Sequence, residues 1–236
     1  DRAVPALSQV LLRQDDNPQV RHAIVWAFRQ ANKFRQIPLN QSVPVLIEVL
    51  LRPDDNNPQL REEVARALGE IGYGGKISGG EFEQKGLEVI EEKMLPALSQ
   101  VFAREDEGVQ LRKDVASALY SNNREYKTVV PTLIKVLMRP NDNIYIRQRA
   151  ADILALCGRN NANHVPAVVK AFREVFRKYK EPYVREALKS VWRIYRWKKD
   201  QAGAEGEAAT EVFSRVFNNN EAEGGFVPLW EWCRFY

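Results

Sequence analysis

The side chains best suited to chemistry are few and far apart. Two histidines, His22 and His164, and two cysteines, Cys157 and Cys233, are all the imidazoles and thiols in 236 residues. Nucleophilic catalysis needs a reactive group with a base beside it, and zinc needs ligands at short, regular spacing. The sequence holds no His-x-x-x-His, no His-Glu pair, no Cys-x-x-Cys, no Gly-x-Ser-x-Gly and no Walker or Rossmann fingerprint. Carboxylates are plentiful, but Asp15, Asp16, Asp54, Asp55, Glu105 and Asp106 recur in one kind of inter-helix loop. An active site is normally built once, so this recurrence points to a role in the fold. His22 and His164 read as surface or capping residues. Cys157, at the end of the apolar run 153–158, reads as a buried, inert thiol. The expectation is no catalytic residue, no metal ligand and no cofactor, and a binding protein ahead of an enzyme.

Charge is distributed unevenly. The net +4 combines near-neutrality over residues 1–163 with a surplus of +8 over 164–199 and a deficit of −5 over 200–225. Arg185, Lys189, Arg193 and Arg196 are spaced i, i+4, i+8, i+11, which places them on one helical face, with Lys199 just beyond. Val184, Leu188, Val191, Trp192 and Tyr195 form the opposite, apolar stripe. A cationic face beside aromatics can hold phosphates or an acidic protein segment, the chain's own 200–225 included. A protein partner is expected first, and nucleic acid through residues 164–199 is the alternative.

The elements that carry these residues repeat. The motif apolar-Pro-x-apolar recurs at Pro5, Pro44, Pro96, Pro131 and Pro166, and each copy is followed by an apolar-Arg pair ending at Arg21, Arg61, Arg112, Arg147 or Arg185. The Pro-to-Arg offsets are 16, 17, 16, 16 and 19 residues, too regular for chance. Each unit reads as two helices. The first opens with Pro in its first turn, where the missing N–H has no intrahelical partner to lose. A polar loop follows, and Asn17-Pro18 and Asn57-Pro58 supply an N-cap and a first helical residue for the second helix. Small residues such as Ala67, Ala118 and Ala151 would let neighbouring helices approach closely.

The segment Leu60-Arg61-Glu62-Glu63-Val64-Ala65-Arg66-Ala67-Leu68-Gly69-Glu70-Ile71-Gly72 resembles a HEAT repeat, most closely the subclass first described in phycobilisome lyases. The resemblance implies an all-α fold, a right-handed α-α superhelix (a HEAT-repeat solenoid) of about five helix pairs with a C-terminal cap. Its units would span 3–36, 42–72, 93–123, 128–159 and 164–199, within a solenoid over 1–199. The five arginines Arg21, Arg61, Arg112, Arg147 and Arg185 match the family's arginine at the start of the second helix. The resemblance implies a structural ladder in which each contacts acidic or carbonyl groups of the neighbouring unit. The resemblance also raises handling of a tetrapyrrole, for which no residue specifies a site. HEAT-type metal hydroxylases depend on His-Glu pairs that this sequence lacks.

A glycine-rich insertion at 73–90 follows the second unit and reads as an edge loop. Residues 200–236 read as an acidic linker, a short helix and a C-terminal segment with five aromatics in its last eleven residues, which should cap the last repeat. On the second helices, Trp26, Arg66, Ser117, Asp152 and Ser190 occupy one recurring position that should line a concave surface. Their mixed character suits a protein-binding scaffold, and Trp26 is the most telling, since tryptophan is favoured at binding hot spots. The candidate partner-binding set is Trp26, Arg66, Lys189, Arg193, Arg196 and Lys199. No apolar run is long enough to span a bilayer, two distant cysteines suit a reducing, cytoplasmic setting, and a chain opening on Asp1 is expected to be processed or cut from a larger protein.

Overall fold

The computed structural model describes residues 3–13, 17–34, 36–53, 57–74, 86–122, 128–160 and 162–179, with Tyr183 and Ala187. Residues 75–85 of the insertion, Arg185, the basic face beyond it and the segment 200–236 lie outside the described residues. The fold is all-α, and no strand occurs among the described residues. Two compact units divide the chain, residues 1–132 and 133–236.

In the first unit, α1 (Ala3–Leu12), α3 (Leu39–Leu51) and α5 (Leu95–Ala103) are the proline-bearing helices; α2 (Pro18–Lys33), α4 (Pro58–Gly74) and α6 (Val109–Ser121) are their partners. The order of packing is that of a repeat. Helix α3 packs on α1 and α5, while α4 packs on α2 and α6, so first and second helices form two layers. Between the layers lie Leu11, Phe28, Leu46, Leu50, Leu60, Leu68, Leu98 and Phe102, all at most 2% exposed. Burying one such side chain contributes about 1.5–3 kcal/mol, so a helix pair gains most of its stability from its neighbours.

Helix starts follow the expected chemistry in the second layer. The Asn17 side chain accepts from the Gln19 N–H at 2.9 Å, and the Asn57 side chain accepts from the Leu60 N–H at 3.1 Å. Pro18 and Pro58 are the first helical residues.

The first layer departs from expectation at two prolines. Pro44 lies inside α3, which begins five residues earlier at Leu39. Its ring removes only the bond to the Asn40 carbonyl, and Asn40 is exposed, so water can replace it. The third unit's first helix likewise begins before its proline. The chain is helical again from residue 86, so the expected 73–90 loop is shorter, and a π-turn at Ile90–Met94 leads into α5. There the Leu95 N–H donates to the Ile90 carbonyl. The wider π-turn gives Pro96 room where a regular turn would press its ring on the carbonyl four residues back.

Helices α4 and α6 meet through very small residues. A β-carbon on Gly69 would lie 3.0 Å from the Ala118 Cα, and one on Gly72 would fall 1.2 Å from Asn122 Oδ1. Asn122 is buried, and its amide N–H donates to the Ala118 carbonyl at 2.6 Å.

In the second unit, α7 (Val130–Met138) reaches across the boundary; α8 (Ile144–Asn160), a short 3-10 turn (Ala162–His164) and α9 (Val165–Tyr179) follow. Helix α8 packs on α9 around Ile153, Leu154, Cys157, Val168 and Phe172, all fully buried.

Candidate functional site

Two sets of arginines hold the helices in place. The first is the set read from the sequence. Arg21 Nε donates to the Leu11 carbonyl at 3.0 Å, Arg61 Nε to Leu50 at 3.1 Å, Arg112 Nε to Phe102 at 2.9 Å and Arg147 Nε to Leu137 at 3.3 Å. All four guanidinium residues are buried. The acceptor these four share is the C-terminal end of the same unit's first helix. Carbonyls there lack intrahelical partners and carry the negative end of the helix dipole, so a cation fits. Arg61 also reaches the next unit: Nη1 and Nη2 donate to Glu107 at 2.7 Å and 2.5 Å. Arg112 stacks over the Phe102 ring at 5.7 Å and Arg147 over Tyr179 at 5.0 Å.

The second set was not read from the sequence. Arg52 Nη1 donates to the Leu12 carbonyl at 2.7 Å, and Arg104 Nη1 to the Leu51 carbonyl at 3.1 Å. Each comes from the following unit. The C-terminal ends of α1 and α3 are thus each gripped twice, by their own second helix and by the next pair. The signal was present: Arg13, Arg52, Arg104 and Arg139 all stand eight residues after the unit's proline.

Burial raises the Glu107 carboxyl, but hydrogen bonds and charges from Arg61 and Arg104 outweigh it and hold the group below the usual carboxylate range. Asp152 is shifted upward by burial, against the opposing charge of Arg149 at 3.5 Å. Burial also drives the Cys157 thiol above its ordinary range, which leaves it protonated and unreactive.

The exposed face of the second layer is where named candidates come together. The His22–Glu63 contact and the Arg29–Glu70 ion pair both join α2 to α4 across 41 residues. That fixed offset sets Trp26 at the level of Ala67, beside Arg66. The Gly69–Ala118 and Gly72–Asn122 contacts set Arg66 near the level of Ser117 on α6. Trp26, Arg66 and Ser117 are all exposed, Trp26 at 56%, so one row crosses three helices. Among the described residues, Arg66 Nε reaches the Glu62 carbonyl of its own helix, at 3.4 Å. Tyr120 and Phe34, 49% and 64% exposed, add aromatic surface at the ends of α6 and α2 that the sequence reading did not single out. Asp152 is half-buried on α8. Ser190, Lys189, Arg193, Arg196 and Lys199 lie outside the described residues. No group of three or more His, Cys, Asp or Glu residues suited to a metal ion occurs among the described residues.

Residues 4–119 match the family model for HEAT repeats. These residues are HEAT repeats. The matched stretch covers all three helix pairs of the first unit, with their arginine pattern. Among solved structures, the chain is similar to human deoxyhypusine hydroxylase in complex with glycerol, at 17% identity over 83% of this chain and 96% of that one, with a TM-score of 0.28. No curated protein matches the sequence. No helix among the described residues is long and apolar enough to cross a membrane.

Proposed function

We propose that this HEAT protein is a binding scaffold that holds a protein partner on the exposed face of its second helices, centred on Trp26 and Arg66. HEAT repeats commonly serve as protein-interaction scaffolds, which supports the class. The observation that carries the site is Trp26, 56% exposed on a helix that buries Ile24, Val25 and Phe28. A tryptophan contributes little in water and much in a desolvated contact, and an exposed arginine beside it adds directional donors. The helices beneath are fixed by buried arginines and close glycine contacts, so the surface is preformed and loses little ordering entropy on binding. In this reading Lys189, Arg193, Arg196 and Lys199 add a second, cationic contact, which suits an acidic stretch of the partner.

The test is affinity capture with wild type, Trp26→Ala/Arg66→Glu and Arg193→Glu/Arg196→Glu, each matched for melting temperature. Loss of a protein partner with the first double variant supports the proposal. Capture that is unchanged in both, or binding only to nucleic acid with a steep salt dependence, contradicts it.

A further inference from the structure

His22 on α2 joins the first two repeats through contacts at both ring nitrogens. Its Nδ1 meets Glu63 Oε2, and its Nε2 lies 3.1 Å from Asn57 Nδ2. The orientation of the Asn57 amide is set by something else. Its Oδ1 accepts from the Leu60 N–H at 3.1 Å and caps α4. The end of the amide that faces His22 is therefore the NH2 group, a donor. An imidazole nitrogen facing a donor must offer its lone pair. Nε2 is then the acceptor, the proton of the neutral ring sits on Nδ1, and it is donated to Glu63. The cap of one helix thus selects the tautomer of a histidine on another.

We propose that His22, Asn57 and Glu63 form a proton-operated latch between the first and second HEAT repeats. In the neutral state the latch closes a loop from the α4 cap through the ring and back to α4. A second proton, taken from water, lands on Nε2 and turns the contact with Asn57 into donor against donor. Asn57 must then leave the ring, or rotate its amide and take Oδ1 away from Leu60. The Glu63 contact becomes a full ion pair and holds. Protonation of the ring therefore leaves α2 and α4 joined while loosening the first turn of α4.

Among the described residues, the charged side chains of the packed helices are the following. Helix α1 carries no charged side chain, and α3 carries only Glu48, held by Arg52. On α4, Arg61 is turned to Leu50 and Glu107, and Glu70 holds Arg29, while Glu62 and Arg66 flank Glu63 along the helix. On α2 itself, Arg21 is turned to Leu11.

The experiment is imidazole nitrogen NMR on the full chain, with the Leu60 amide followed in parallel. At pH 8 the wild type should show His22 protonated at Nδ1 and bare at Nε2. As pH falls, the Leu60 amide should shift with the same midpoint as the His22 ring. Asn57→Asp is the decisive variant, because aspartate caps a helix as well as asparagine but offers His22 only acceptors. In it the His22 midpoint should rise by one unit or more, a tenfold gain in proton affinity, and Leu60 should stop responding across the wild-type range. An Nε2–H tautomer in the wild type, a Leu60 amide indifferent to the His22 titration, or equal midpoints in the two proteins would overturn the proposal. The wild-type tautomer decides by itself if the variant does not fold.

Discussion

Arg61 holds Glu107, 46 residues later, through two parallel bonds of 2.7 Å and 2.5 Å while also donating twice to the Leu50 carbonyl. One buried guanidinium therefore ties the end of α3, the start of α4 and the loop before α6. Arg104 completes the group, 3.3 Å from Glu107 and 3.1 Å from the Leu51 carbonyl. The cluster sits at the junction where the interval between repeats is longest.

Breaking that pair should cost more than any surface ion pair. Glu107→Gln leaves Arg61 buried beside a neutral partner, and loss of one member of a buried pair costs about 3–5 kcal/mol. Chemical denaturation of the two proteins at pH 7 gives the difference directly. A cost below 1 kcal/mol would show that the pair is not buried as described.

The pH dependence follows from the same group. Its folded carboxyl is held below the usual range, so its contribution is complete above the unfolded value, about 4.3, and is lost as pH falls through the lower folded value. The stability gap between wild type and Glu107→Gln should therefore be constant from pH 7 to about 5 and narrow below. Denaturation midpoints across pH 3–7 test this.

Gly69 and Gly72 reverse a familiar rule. Replacing a mid-helix glycine by alanine normally stabilises by about 1 kcal/mol. Here the added carbon would meet Ala118 at 3.0 Å or strike the Asn122 amide, so Gly72→Ala should destabilise by about 1–3 kcal/mol. Gly108, the N-cap of α6, has nothing within 4 Å of an added carbon and controls for added volume alone. Thermal melts of the three variants set the packing cost against an open site.

The second arginine set should resist conservative exchange. Arg52 donates to the Leu12 carbonyl with one terminal nitrogen and to Glu48 with the other. Lysine offers one compact ammonium and cannot span both. Arg52→Lys should lose about 1 kcal/mol, nearly as much as Arg52→Ala, measured by urea denaturation.

How much of this was legible depended on the range of each signal. The repeat was readable because Pro44 and Arg61, or Pro96 and Arg112, recur at nearly fixed spacing. The arginines eight residues after each proline were equally readable, and were passed over because their acceptors, Leu12 and Leu51, belong to the preceding unit. The start of α3 at Leu39 was hidden because proline suggests a first turn, whereas a long apolar stripe tolerates one missing bond at an exposed end. The His22–Glu63 and Arg29–Glu70 pairs could not be read, since a 41-residue offset means nothing until neighbouring helices have a register. Trp26 stood out by type alone, but its exposure came only with the packing of Ile24, Val25 and Phe28.

The direct measurement of the binding proposal is site-specific photocrosslinking in cells of the source organism. A photoreactive residue is placed in turn at Trp26, Arg66 and Ser117 on the second helices, and at Gln41, Glu48 and Gln100, exposed on the first helices. The account predicts one shared protein adduct from the first three positions, absent from the other three and weakened tenfold or more when Trp26→Ala accompanies the probe at Arg66 or Ser117. Adducts of equal strength from both faces, or none from the second helices, would contradict it.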